Sequence, residues 1–302
     1  MQKDHIKETI SEFITLFPDE ENAIAYLFDL RWPEGFSCPS CRQLTPGLTP
    51  VRSVICPKCG NLSSLTTGTI MHGTKKSLNQ WLLAAWWLSA NEKGASAREL
   101  QRLLDLPSYQ TAWTWLQKLR LAIGFADQEP CKGVVELGCS EVTPAWERHE
   151  KALVLTAAEF ILSLGITGRI RMCTVSQCSE KTLLGFLDKA VARDSSLIAP
   201  GFAPFSHLEQ TRYSYVIDSK TTIPRRIEEI NSSFEIWLNK VHRGGVSLKH
   251  LQLYLDEFCF HGNASLMADR KAIFTALIKG ILEATPKSYK EIVGSRAGGG
   301  KK

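Results

Sequence analysis

Apolar and polar positions recur along this chain with two periods, and the change between them divides it. Over 6–16 and 20–30 the apolar residues return every three or four positions, predicting two short amphipathic helices. Pro18 separates them, and Asp19-Glu20-Glu21 gives the second an acidic first turn. A β-prone run, 63–71, predicts a strand completing a small sheet. Helical spacing resumes at 78–90, where Leu78, Trp81, Leu82, Ala85, Trp86 and Leu88 mostly share one side behind a Ser77 cap, the pattern of a core helix. Two more helices, 96–104 and 108–123, flank a break at Asp105-Leu106-Pro107, the second carrying Ala112, Trp113, Trp115, Leu116 and Leu119. After a linker at 127–132 the pattern becomes one of strands and helices. Strands are predicted at 134–137, 152–158, 169–175, 195–199 and 213–217, with helices at 180–192, 223–240 and 247–260. That is an α/β sheet, and no internal repeat is visible.

Four cysteines give the first half its chemistry. Cys38-Pro39-Ser40-Cys41 and Cys56-Pro57-Lys58-Cys59 have the spacing of a tetrahedral thiolate shell around one structural Zn²⁺. Gly60 ends the second knuckle and supplies the turn that points backbone amides at sulfur. The spacing predicts a zinc ribbon over 32–72. Cys131, Cys139, Cys173, Cys178 and Cys259 show no framework spacing and read as buried free thiols of a reducing compartment.

With 302 residues, 44% hydrophobic and 22% charged, the chain can bury two or three cores, which excludes a disordered protein. Its longest apolar stretch, 81–90, is too short to span a bilayer, and the first residues lack a signal-peptide pattern. A cytoplasmic protein without a membrane partner is expected. The net charge of +5 matters less than its distribution. Residues 1–34 hold three Lys/Arg against eight Asp/Glu, whereas 49–126 hold nine against three. That basic excess fits a phosphate-binding surface and fits a solvated helical face equally well.

Within the basic zone, the helix pair 96–104 and 108–123 has the form of a helix-turn-helix. In that reading the second helix presents Ser108, Tyr109, Gln110 and Thr111 to base edges. Lys75, Lys76, Arg98, Arg102, Lys118 and Arg120 contact phosphates, and Lys240, Arg243, Lys249 and His250 are further candidates.

The order of ribbon, helix pair and α/β region, with the stretch Val246-Ser247-Leu248-Lys249-His250-Leu251-Gln252-Leu253-Tyr254-Leu255-Asp256-Glu257-Phe258, closely resembles insertion-sequence transposases of the IS1595 group, whose catalytic part is called ISXO2-like. Cys56-Pro57-Lys58-Cys59-Gly60, the run Leu65 to Gly68 with Thr69-Ile70-Met71-His72, and Glu180-Lys181-Thr182-Leu183 add to the likeness. The resemblance implies a multidomain α+β protein. N-terminal helices occupy 1–31, the zinc ribbon 32–72, a helix-turn-helix region 73–126, an RNase H-like domain 127–265, and a C-terminal helix with a basic tail 266–302. It also implies DNA strand cleavage and joining by two divalent ions, usually Mg²⁺, held by carboxylates that converge from several elements.

Those carboxylates are where the chain departs from the family pattern. The opening strand in the family reads like Val-Glu-Val-Asp-Glu, and here Val135-Glu136-Leu137-Gly138-Cys139 puts Gly138 in the place of the aspartate. The second acid belongs to a pattern like Thr-Asp-Gly-Trp, matched here by Ala199-Pro200-Gly201-Phe202. The third falls early in the helix before Trp237-Leu238, with Glu228 the best match and Glu229 next. A displaced set could draw on Glu136, Asp218, Glu141 or Asp194. Glu136, however, lies two residues along the strand from Gly138, about 6.6 Å, against a metal bond of about 2 Å. Cys139 with His149, His207 or His242 as base has no supporting spacing and reads as a buried free cysteine.

The expectation is therefore a transposase-family protein that binds DNA, keeps Zn²⁺ as a structural ion, and is catalytically degenerate. Two alternatives stay open: an active enzyme using Mg²⁺ and a displaced acid set, and a regulatory or partner subunit of an intact transposase. A homo-oligomer is expected because transposases bring two DNA ends together.

Overall fold

The structure, a computed structural model, describes residues 2–91, 93–143, 151–201, 205, 213–218, 223–242 and 246–294. Two compact units account for the chain: 1–91, 95–127 and 269–302 form the first, and 92–94 with 128–268 the second.

In the first unit, α1 (Gln2–Leu16) and α2 (Glu20–Arg31) precede two small hairpins, β1 (Phe36–Ser37) with β2 (Leu44–Thr45) and β3 (Ser53–Ile55) with β4 (Leu62–Ser64). Then come α3 (Leu78–Ser89), α4 (Ala97–Leu103) and α5 (Tyr109–Ala126), and from the far end of the chain α9 (Arg270–Glu283) and α10 (Tyr289–Val293). Local caps define the helix starts. Ser77, Ser96 and Ser108 each accept the N–H three residues on, and Ser96 forms a capping box with Glu99. A distant residue adds to one of them: both Glu20 carboxylate oxygens accept from the first turn of α3, the Leu78 N–H at 2.8 Å and the Asn79 N–H at 2.9 Å.

The predicted strand 63–71 ends at Ser64, and the chain beyond it runs through a succession of turns. Arg31, at the end of α2, is the reason. Its guanidinium donates to the carbonyls of Ser64, Leu65 and Thr67, drawing off groups that a ladder would need. Thr69 holds the next turn through the Thr66 carbonyl at 2.9 Å.

The core of this unit is aromatic. Trp81 stacks on Trp115 with centroids 4.1 Å apart, and Phe274 of α9 meets Tyr26, Phe17 and Trp86. α9 lies so near α5 that a Cβ on Gly280 would stand 2.2 Å from the Ala122 carbonyl oxygen. Gly280→Ala is accordingly expected to destabilise the unit by about 1–3 kcal/mol through overpacking against backbone. Thermal unfolding measures it, and an unchanged Tm would contradict the close approach.

In the second unit five strands form one sheet in the order β7-β6-β5-β8-β9. β5 (Val134–Val142), β6 (Ala152–Ile161) and β7 (Ile166–Val175) are antiparallel neighbours, while β8 (Ser196–Pro200) and β9 (Ser214–Asp218) run parallel to β5. α6 (Glu180–Ala190) covers one face, with Leu183, Phe186 and Leu187 against Val135, Leu137, Leu155 and Leu197. α7 (Arg225–Val241) and α8 (Leu251–Asn263) cover the other, burying Ile227, Ile230, Phe234, Leu251 and Leu255 over Val142, Val154 and Ala158. α8 also closes the edge of β7. Gln252 takes the Thr174 N–H and donates to the Met172 carbonyl, while Asn263 accepts from and donates to the backbone of Ile170. This edge is thereby protected from pairing with another strand. Among the described residues no helix is long and apolar enough to cross a membrane.

Candidate functional site

The hairpins of the first unit carry the four knuckle cysteines, and the two knuckles repeat one geometry. The Cys38 N–H donates to the Gln43 carbonyl at 3.0 Å and the Arg42 N–H to the Cys38 carbonyl at 2.9 Å; Cys56 with Asn61 and Gly60 with Cys56 repeat this at 2.9 Å each. Both turns need a left-handed residue, Gly60 at φ 71° in one and Arg42 at φ 58° in the other. Glycine marks only the second of these in the sequence.

All four sulfurs lie within 4.8 Å of one another, with Cys38–Cys59 and Cys41–Cys56 at 3.6 Å. A Zn–S bond of about 2.3 Å puts tetrahedral sulfurs about 3.8 Å apart, so the set fits zinc. Backbone amides tune it. The Cys59 N–H, with that of Lys58, draws the Cys56 thiol down to about 6. The Asn61 amide favours the Cys59 thiolate too, but neighbouring Cys41, burial, Cys56 and Cys38 push that group up to about 12. Four thiolates this close are mutually repulsive until a cation joins them. Among the described residues this is the one group of three or more metal-ligating side chains.

The predicted helix pair is present as α4 and α5, with Asp105 at φ 46° in the turn between them. Tyr109 and Gln110 are exposed in the first turn of α5; Lys75, Arg98 and Arg102 are exposed and Lys76 is half-buried. Two expected phosphate contacts are corrected. Arg120 is 1% exposed and donates to the Ala95 carbonyl at 2.9 Å. Lys118 is half-buried, donates to the Ile70 carbonyl at 3.3 Å, and has its pKa lowered by burial. The buried stripe Ala112, Leu116, Leu119, Ile123 carries Arg120 inward with it. In the second unit Lys240 and Lys249 are exposed and His250 half-buried, and Arg243 lies outside the described residues.

On β5, alternate residues face opposite helices. Val135 and Leu137 are packed in the core that α6 covers, and Cys139 lies against it. Gly138 meets α7 directly: a Cβ there would stand 2.6 Å from the Ile227 Cγ2. Ile227 is fully buried. One step along, Asn231 donates to Ser140 Oγ at 2.6 Å and accepts from Thr156 Oγ1 at 3.1 Å. The position matched to the first acid is thus filled from α7 by a hydrocarbon side chain, beside a chain of neutral hydrogen bonds.

Glu136 has its own cation. Arg226 Nε donates to its carboxylate at 3.2 Å, with side-chain exposures of 14% and 19%, and Arg226 also donates to Thr167 Oγ1 at 3.1 Å. The guanidinium lies 4.0 Å over the Phe160 ring. Glu228 and Glu229 are exposed, the latter paired with Arg225 at 2.9 Å. Among the described residues no group of three or more metal-ligating side chains includes Glu136 or Glu228. Pro200, matched to the second acid, is buried at the end of β8, in register with Asp218, whose side chain lies outside the described residues. Glu141 is exposed and paired with Lys151, and Asp194 is exposed. His149 and His207 lie outside the described residues. Cys139 is half-buried, not buried.

Comparison with known proteins matches two stretches to domain models of one family. Residues 139–263 match the ISXO2-like transposase domain, and 18–47 match the transposase zinc-ribbon domain. The first match begins one residue after Gly138, and the second contains the first knuckle only. A protein of Halobacterium salinarum described as an "Uncharacterized protein in transposable element ISH50" is 30% identical over 129 residues, 41% of this chain and 42% of that protein. With both domain models in the same order as the ribbon and the sheet unit, the chain belongs to the IS1595 family of transposases.

Proposed function

We propose that this protein is a DNA-binding member of its family that has given up strand cleavage and transfer. The sheet order, three antiparallel strands followed by two parallel ones, supports an RNase H-like scaffold. Divalent-metal catalysis on such a scaffold needs carboxylates converging on one point. The observation that carries the reading is the filling of that point: Ile227 occupies the space at Gly138, and Arg226 neutralises Glu136. A single exposed glutamate, Glu228, does not hold an ion that dehydrates reluctantly.

Binding rests on the first unit. Zinc holds the two hairpins, and α4 and α5 act as a helix-turn-helix with Tyr109 and Gln110 facing bases. Exposed Lys75, Arg98 and Arg102, with Lys76, contact phosphates. Each phosphate contact adds about 0.9 to the slope of log affinity against log salt. Binding of two DNA ends makes a homo-oligomer the working form.

The test uses linear DNA carrying candidate terminal repeats, with Mg²⁺ or Mn²⁺ supplied. Expected are a salt-sensitive gel shift, a shallower salt slope for Arg98→Ala plus Arg102→Ala, and no strand cleavage. Cleavage abolished by Glu228→Gln would instead establish an active enzyme with a displaced acid set. Absence of any shift would leave the regulatory-subunit reading.

A further inference from the structure

Exposure divides the four zinc ligands in a regular way. In each knuckle the first cysteine is buried, Cys38 and Cys56 at 1% each, and the second lies nearer solvent, Cys41 half-buried and Cys59 exposed. Two sulfur contacts cross between the knuckles and join unlike partners. Exposed Cys59 lies 3.6 Å from buried Cys38, and half-buried Cys41 lies 3.6 Å from buried Cys56. Both pairs are near enough that a small shift of two side chains brings sulfur to bonding distance. Metal ligation keeps all four as thiolates, the nucleophilic form of cysteine. Cys131, Cys139, Cys173, Cys178 and Cys259 are buried or half-buried, so among the described residues Cys59 is the one exposed cysteine.

We propose that the ribbon is a redox modification site: a hydroperoxide oxidises Cys59, and the four ligands close to two disulfides across the knuckles, Cys38–Cys59 and Cys41–Cys56, with release of zinc. Exposure sets the order of events. The Cys59 thiolate attacks a peroxide oxygen; the O–O bond breaks, leaving a sulfenic acid on Cys59 and a hydroxide that takes a proton to become water. Cys38, shielded from the oxidant but in contact with Cys59, then attacks the Cys59 sulfur. The S–S bond forms, the S–O bond breaks, and the departing hydroxide is protonated to water. Two ligands remain, too few for a structural zinc, and Cys41 with Cys56 repeats both steps on a second peroxide. Four thiolates lose four electrons, two peroxides and four protons become four waters, and one Zn²⁺ passes to solvent. A metal tie between the hairpins is exchanged for two covalent ones.

The experiment uses the full-length, zinc-loaded, reduced chain, oxidised with graded hydrogen peroxide while a chromogenic chelator follows released zinc. Samples are blocked with N-ethylmaleimide, digested with trypsin without reductant and mapped by mass spectrometry. Cleavage after Lys58 separates Cys56 from Cys59, and the peptide 32–42 carries Cys38 and Cys41 together. Bonds across the knuckles therefore join peptides 32–42, 53–58 and 59–75 in one species, and fragmentation between Cys38 and Pro39 assigns the two bonds. Expected at full oxidation are that species, loss of one zinc and four ribbon thiols per chain, and full reversal by dithiothreitol with zinc resupplied. With less than one equivalent of peroxide the Cys38–Cys59 bond should come first, leaving Cys41 and Cys56 alkylated. Bonds within a knuckle, the opposite pairing across knuckles, a first bond at Cys41–Cys56, irreversible oxidation of Cys59, or retention of zinc and the ribbon thiols would each overturn the proposal. None of these outcomes depends on a variant folding.

Discussion

Removal of zinc is expected to unfold both ribbon hairpins, while α3 and α5 persist. The four strands are two or three residues long, and a single short hairpin is at best marginally stable in water. Between 36 and 65, the stretch of the two hairpins, Phe36, Val54 and Leu65 are the larger buried apolar residues, too few to offset the entropy of ordering it. Structural zinc in small domains contributes roughly 10–16 kcal/mol, so the metal decides whether this part folds. Hydrogen exchange before and after chelation checks it. Amides of Cys38, Arg42, Cys56 and Gly60, which make the knuckle bonds, should lose protection. Protection in α3 should remain, because Ser77 and Glu20 cap that helix without help from the metal. Lowering the pH should mimic chelation, since every thiolate that reprotonates competes with the ion. One zinc per chain by elemental analysis is expected; knuckle amides that stay protected in the metal-free protein would contradict the assignment.

The features legible in the sequence are those held by near neighbours. Ser77, Ser96 and Ser108 cap helices through residues three positions on, and the knuckle cysteines meet sulfurs of the neighbouring hairpin only 15 and 21 residues away. The departures come from partners far away. Arg31 disrupts the expected strand from more than thirty residues upstream, and Arg226 meets Glu136 across ninety. One departure does have a local signal. Ile227, Ile230, Phe234 and Leu238 repeat at helical spacing, and that stripe puts Glu228 on the outer side. A one-residue difference in helix phase separates a metal ligand from a solvated surface carboxylate. The inward turn of Arg120 has no such signal, because its partner is a backbone carbonyl at Ala95.

Restoring the family's first carboxylate should damage the protein and recover no chemistry. In Gly138→Asp the new Cβ would lie 2.6 Å from Ile227 Cγ2, well inside the roughly 3.5 Å at which carbons rest. α7 would have to move away from β5, straining the Asn231 bonds to Ser140 and Thr156. The carboxylate would enter the cluster of Ile227, Ile230, Phe234 and Val142 without water. Destabilisation of about 3 kcal/mol or more is expected from overpacking and burial together. Ile227→Ala alone should lose about 2–4 kcal/mol by leaving a cavity. Because the two changes meet at one contact, the double variant should be more stable than the sum predicts by about 1 kcal/mol or more, measured by denaturant unfolding of all four proteins. Cleavage of DNA with Mg²⁺ should stay absent in each, since Pro200 offers no carboxylate and Arg226 keeps Glu136 neutralised. A Gly138→Asp protein that folds as stably as its parent and cuts DNA would show that the site is merely missing one ligand. The packing of Ile227 argues otherwise: under the proposed reading, a carboxylate at 138 needs space that the core already fills with hydrocarbon.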